Sequence, residues 1–139
     1  MAKPSRDLVR GVPLFANLSD ADADKLAADF IERRFAAGDT ISTAGESGLN
    51  FFIVESGEAA VRVGDKEVRR LAAGDSFGEI ALVDKGPRSA SVTAITDMRC
   101  HGLPVWSFRS FSQTRPDVTW KLLELLADYL REAQMRTSP

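Results

Sequence analysis

Glycines at positions 38, 45, 48, 57, 64, 74, 78 and 86 cut the middle of the chain into pieces too short for successive helices. Between them the apolar residues follow strand periods. Leu49 to Glu55 is mostly Phe, Ile and Val, Ala59, Val61 and Val63 alternate with Ala60 and Arg62, and Val68 and Leu71 lie beside Arg69 and Arg70. These segments predict short strands with charged outer faces. Ser56-Gly57 and Gly64-Asp65 are hairpin turn signals, Gly74-Asp75 introduces a segment at Phe77 to Val83, and Ser91 to Ile95 returns to β-rich composition. Seven or eight strands over roughly 70 residues is the spacing of a jelly-roll-like barrel.

Both flanks carry helical signals. Up to Asn17 the chain is mixed and Pro13 interrupts any helix, which leaves room for a short helical turn. Ser19, followed by Asp20 and Asp22, puts a capping hydroxyl and acidic first-turn residues where unpaired amides favour them. Ala23, Leu26, Ala27, Phe30 and Ile31 then recur at helical spacing. At the other end Pro104 suits a first-turn position, with Trp106 and Phe108 predicted to pack that helix on the barrel. A break from Ser110 to Pro116 precedes a last helix beginning near Asp117. Its broad face carries Val118, Leu122, Leu125, Leu126 and Tyr129, extended by Leu123 and Leu130. The expected division is one domain over 1–139, with a helical segment at 1–32, a barrel at 33–103 and helices at 104–133.

Composition narrows the function. With 139 residues the chain suits one domain, and 18 Lys plus Arg against 20 Asp plus Glu leave a net charge of -2, too balanced for a generic nucleic-acid or membrane binder. The tail after the last helix is too short for a DNA-reading helix-turn-helix. One cysteine, Cys100, and one histidine, His101, exclude an intrachain disulfide and a zinc cluster, so no metal or cofactor is expected. No stretch reaches the roughly 20 apolar residues of a membrane span, and the N-terminus has no apolar signal segment, so a cytoplasmic location is expected.

One run stands apart, residues 77–92, Phe77-Gly78-Glu79-Ile80-Ala81-Leu82-Val83-Asp84-Lys85-Gly86-Pro87-Arg88-Ser89-Ala90-Ser91-Val92. Gly78 removes a side chain where backbone can approach a ligand, Glu79 offers two acceptors, and Arg88 and Ser89 offer donors beside the small Ala90. A carboxylate that accepts from a sugar hydroxyl and a guanidinium that forks onto anionic oxygens suit a sugar phosphate. Ile80, Ala81 and Leu82 form a short apolar turn or helical cap whose amides can add phosphate contacts. An ordinary Glu79–Arg88 ion pair is the structural alternative, although desolvation limits what such a pair contributes to stability.

With Phe77-Gly78-Glu79 opening the run and Pro87-Arg88-Ser89-Ala90 closing it, the chain resembles the cyclic nucleotide-binding domain family. That family is also represented in catabolite activator proteins, cyclic-nucleotide-dependent kinase regulatory subunits and nucleotide-gated channels. Pro13-Leu14-Phe15 and Phe52-Ile53-Val54-Glu55-Ser56-Gly57 resemble its leading and early-barrel patterns. The resemblance implies a mainly β fold with flanking helices, an eight-stranded jelly-roll β-barrel with N-terminal helices and C-terminal lid helices. It implies that Glu79 accepts the ribose 2'-hydroxyl, Gly78 allows its approach, Arg88 and Ser89 bind the phosphate, and the Ala90 amide donates as well. Ile80, Ala81 and Leu82 would shape the small helix of this cassette. Val61, Val63, Leu71 and Val92 would line the pocket or serve as plain core. Leu122, Leu123, Leu126, Tyr129 and Leu130, with Trp120, are the candidates for a lid over the base.

The implied function is a sensor that binds a cyclic nucleotide, cAMP in the first instance, and couples occupancy to movement of its last helix. A cGMP preference is the nearest alternative, because Ser89 can bridge phosphate and guanine amino group. A ligand-free jelly-roll interaction domain and a cyclic nucleotide hydrolase are the others, the latter lacking any evident means of activating water. No catalytic residue is assigned. The partners expected are the nucleotide itself and either a second copy or a separate effector protein, with no nucleic acid contacted by this chain.

Overall fold

The computed structural model describes residues 2–42, 50–82 and 90–137. Ser5 Oγ accepts from the Leu8 amide and starts α1, Arg6–Arg10, and Pro13–Phe15 form a 3-10 turn. Ser19 Oγ accepts from the Asp22 amide and starts α2, Asp20–Ala27, as its position predicts. The helical spacing read through Ile31 stops at Ala27. Phe30 is buried beyond the helix end, and Ile31 opens the first strand because its backbone pairs with Gly102.

The strands are β1 (Ile31–Phe35), β2 (Thr40–Ser42), β3 (Asn50–Ser56), β4 (Ala59–Val63), β5 (Lys66–Leu71), β6 (Ser76–Phe77), β7 (Ser91–Ala94) and β8 (Met98–Pro104). A second 3-10 turn, Glu79–Leu82, follows β6. Strand structure thus begins at 31 rather than 33. Pro104 ends β8 and caps the next helix instead of entering its first turn, since β3 Asn50 still pairs with it. Helix α3, Val105–Ser112, runs through the predicted break at Ser110, and α4, Pro116–Thr137, continues past 133. Pro116 sits at the first helical position, where its missing N–H is no loss.

The eight strands form two antiparallel four-stranded sheets, ordered β1-β8-β3-β6 and β2-β7-β4-β5. The jelly-roll layering stands, but among the described residues the sheets do not join into a closed barrel. The central strands of sheet one, β3 and β8, are buried on both faces, whereas β1 at its edge is largely exposed. Phe51, Ile53 and Leu103 turn toward the helices, while Phe52, Val54 and Cys100 turn toward the other sheet. Burial on both sides explains why β3 reads as an unbroken apolar run instead of an alternation. Gly102 faces the Phe52 ring, which a Cβ there would meet at 3.1 Å. No described helix is long and apolar enough to cross a membrane.

The helical layer fills a core of its own. Phe15 lies edge-on to Phe51 at 5.9 Å, and Phe108 and Val118 complete the same cluster. Phe108 packs as predicted. Trp106, two residues earlier on α3 and so on its opposite side, is exposed instead, because the helix has only one face against the sheet.

Candidate functional site

The candidate site starts at the end of β6. Phe77 is buried between the sheets, stacked on Phe52 with ring centroids 5.1 Å apart, whereas Leu82 is buried in the helical core. The short 3-10 turn therefore bridges two cores, anchored at each end. Gly78 makes the crossing at φ +91°, a conformation that side chains disfavour. The expected apolar turn at Ile80 to Leu82 is this 3-10 turn. Glu79, its first residue, is partly exposed and accepts from Ser76 Oγ at 3.2 Å, which among the described residues leaves the second carboxylate oxygen for another donor.

Sheet two supplies the facing wall. Val92 on β7 pairs with Val61 on β4, which pairs with Arg69 on β5, so the three form one row across the sheet. The next row, Ala94, Ala59 and Leu71, is buried in the inter-sheet core. Residues two apart share a face, so Arg69 stands on the inner face with Leu71, not on the charged outer face that its neighbours suggest. Leu71 and Val92 are core residues and Val61 packs at the core's margin. Val63 does not line the pocket. It is exposed at the hairpin end, opposite Lys66.

Helix α4 separates the lid candidates. Leu122 is buried in the helical core and Leu126 packs against it, so both are already engaged within the chain. Leu123, Leu130 and Trp120 face solvent. Tyr129, 39% exposed, is the lid candidate whose electrostatic surroundings include the site. Burial, then the Glu79 charge, push its phenol above the ordinary value, with Arg69 acting in the opposite direction. The charges of Glu79 and Arg69 thus both act on the Tyr129 phenol, with opposite sign.

Arg88 and Ser89 lie outside the described residues, as do the side chains of Ile80 and Ala81; Ala90 is half-buried just ahead of β7. Arg69 escaped the sequence reading, although its two-residue offset from the apolar Leu71 carried the signal. His101 and Cys100 belong elsewhere. His101 is buried on the helix side of sheet one, its Nε2 2.8 Å from Glu55 Oε1, and burial pushes the Cys100 thiol up to about 11. Among the described residues no three His, Cys, Asp or Glu side chains are grouped to hold a metal ion.

Comparisons with known proteins bear on this arrangement. The family model described as "Cyclic nucleotide-binding domain" matches residues 32–115, more than half of the chain. A cAMP-dependent protein kinase regulatory subunit from Colletotrichum orbiculare is 36% identical over 105 residues, 74% of this chain and 27% of that protein. A cGMP-dependent protein kinase from Toxoplasma gondii is 37% identical over 90 residues, 65% of this chain and 9% of its own. The chain therefore spans about a quarter or less of these two relatives. Among solved structures, the Thermus thermophilus catabolite activator protein superposes with a TM-score of 0.80 at 31% identity, over 89% of this chain and 61% of that one. On the family match and these relatives, the chain belongs to the cyclic nucleotide-binding domain family.

Proposed function

We propose that this chain is a regulatory sensor of cAMP, acting in the cytoplasm, that binds nucleotide between the Gly78-Glu79 turn and the inner face of sheet two and signals by repositioning α4. The observation that carries it is the grouping of Glu79 and Tyr129. Among the described residues Glu79 has an oxygen available for a ribose hydroxyl, and its charge acts on the Tyr129 phenol of α4. Arg88 and Ser89 would take the phosphate. A ligand that touches α4 only when it is closed shifts the helix by its differential affinity for that state. The kinase relative named for cAMP favours adenine.

Arg69 favours a second reading. A guanidinium donates to guanine O6 and N7 together, whereas adenine presents an amino donor beside N7. Its place on the inner face near Tyr129 suits cGMP, for which the Toxoplasma gondii relative is named. Parallel calorimetric titrations decide between them. The first reading expects tighter cAMP binding, and unchanged affinity in Arg69→Ala; the second expects tighter cGMP binding that Arg69→Ala abolishes. Heat from neither nucleotide would reject both, and conversion of bound nucleotide to a monophosphate would make the protein a hydrolase.

The receiver of the signal is proposed to be a second copy, with a separate effector as the alternative. Trp120, Leu123 and Leu130 are exposed on α4 and, with Ala127, recur at the three-and-four spacing of a two-helix seam that a two-fold axis would match to itself. Light scattering should return twice the 15.1 kDa chain mass, and a monomer mass would discard the dimer.

A further inference from the structure

Three aspartates alternate along α2. Asp20 and Asp24, one helical turn apart, face α1: Arg6 forks onto Asp24 with both bonds at 2.7 Å, and Arg10 meets Asp20 at 2.8 Å. Asp22 projects from the opposite side and meets Arg115, in the short joint between α3 and α4, at 2.9 Å. Arg115 is more than a surface partner. Its side chain is 16% exposed, it donates to the Phe111 carbonyl and to Thr114 Oγ1, each at 3.0 Å, and it lies 4.0 Å over the Phe111 ring. Its Nε is buried with no hydrogen-bond partner among the described residues. Asp22 is therefore the one carboxylate shown to balance a guanidinium that is otherwise held by neutral groups.

We propose that Arg115, held by Asp22, is a positioning residue that sets the angle at which α4 leaves α3, and thereby where Tyr129 stands relative to Glu79. The part about Tyr129 rests on the proposed function; the joint itself does not. Arg115 and Tyr129 are 14 residues apart, about 21 Å of helix, so a tilt of about 10° at the joint carries the ring about 4 Å. That displacement exceeds the length of a hydrogen bond. Val118 and Leu122 hold the first turns against the helical core, so the part of the helix next to the joint is the part fixed by apolar packing, and the side chains from Ala127 to Met135 are exposed.

The test is a distance measurement between spin labels at Glu58→Cys and Met135→Cys, both exposed positions, by pulsed electron resonance on nucleotide-free protein. Cys100, buried and with its thiol pushed up to about 11, stays unlabelled. Asp22→Asn should shift or broaden the distribution by about 5 Å, because Met135 stands 20 residues, about 30 Å of helix, from Arg115 and the same tilt carries it that far. Arg115→Lys, which keeps the charge and loses the fork, should fall between. Asp24→Asn, which breaks the Arg6 fork but leaves the joint intact, should match the parent. An unchanged distribution in Asp22→Asn, or an equal change in Asp24→Asn, overturns the proposal. With nucleotide, Asp22→Asn should weaken affinity about threefold to tenfold, and this loss should vanish in a Tyr129→Ala background. A loss that persists there would overturn the route through Tyr129. If the parent binds neither cAMP nor cGMP, the sensor reading fails, and the label distances still decide the joint.

Discussion

Arg88→Ala is expected to weaken cyclic nucleotide binding by tenfold to a hundredfold, read by calorimetric titration. A hydrogen bond to a charged group contributes about 1.5 to 3 kcal/mol, and each 1.4 kcal/mol is a factor of ten. The phosphate needs a partner that carries charge and two donors, and the Pro87-Arg88-Ser89-Ala90 segment supplies it in sequence. Arg88→Lys should recover only part of the loss, because an ammonium cannot fork. Arg69→Ala provides the contrast: it bears on base preference and leaves the phosphate contact intact. Unchanged affinity in Arg88→Ala would remove the guanidinium from the site and return the cassette to a structural role.

The largest effect on stability is expected from Phe15→Ala. Phe15 is fully buried, edge-on to Phe51 at 5.9 Å and 6.3 Å from Phe108, so it joins the N-terminal turn, sheet one and α3. Truncating a buried Phe costs about 3 to 5 kcal/mol, against a total domain stability of about 5 to 15 kcal/mol. Thermal unfolding should move down by on the order of 10 to 20 °C. Trp106→Ala removes a larger ring, yet that ring is exposed, and the change should stay within about 0.5 kcal/mol. Equal losses in the two variants would mean that the helical layer is not packed as described.

The two aromatics show where the sequence is legible. Phe108 and Trp106 belong to one apolar run, and their hydrophobicity alone assigns both to a packing surface, although residues two apart fall on opposite sides of a helix. The sheet beneath α3 accepts only one side of the helix, and that side carries Phe108. The lid candidates divide in the same way. Leu122, Leu123, Leu126, Tyr129 and Leu130 form one stripe in sequence, but the core admits Leu122 and Leu126, leaves Leu123 and Leu130 in solvent, and leaves Tyr129 partly exposed where the Glu79 charge acts on it. Arg69 is the converse case. Among charged neighbours it reads as an outer residue, and its place on the inner face follows from pairing with Val61.

By itself, the amino-acid order determined what depends on neighbours in the chain: the turns at glycine, the Ser19 cap, the strand periods, and the Phe77-to-Ala90 run whose residue types suit a sugar phosphate and which resembles the cyclic nucleotide-binding family. Only the tertiary structure decided that the sheets remain unjoined among the described residues, that Phe108 is buried while Trp106 faces solvent, and that Asp22 reaches across to Arg115. The physical reason is range. Caps, turns and strand alternation are short-range sterics and hydrogen bonding, whereas the face a side chain buries and the charge it meets depend on segments brought together by burying apolar surface.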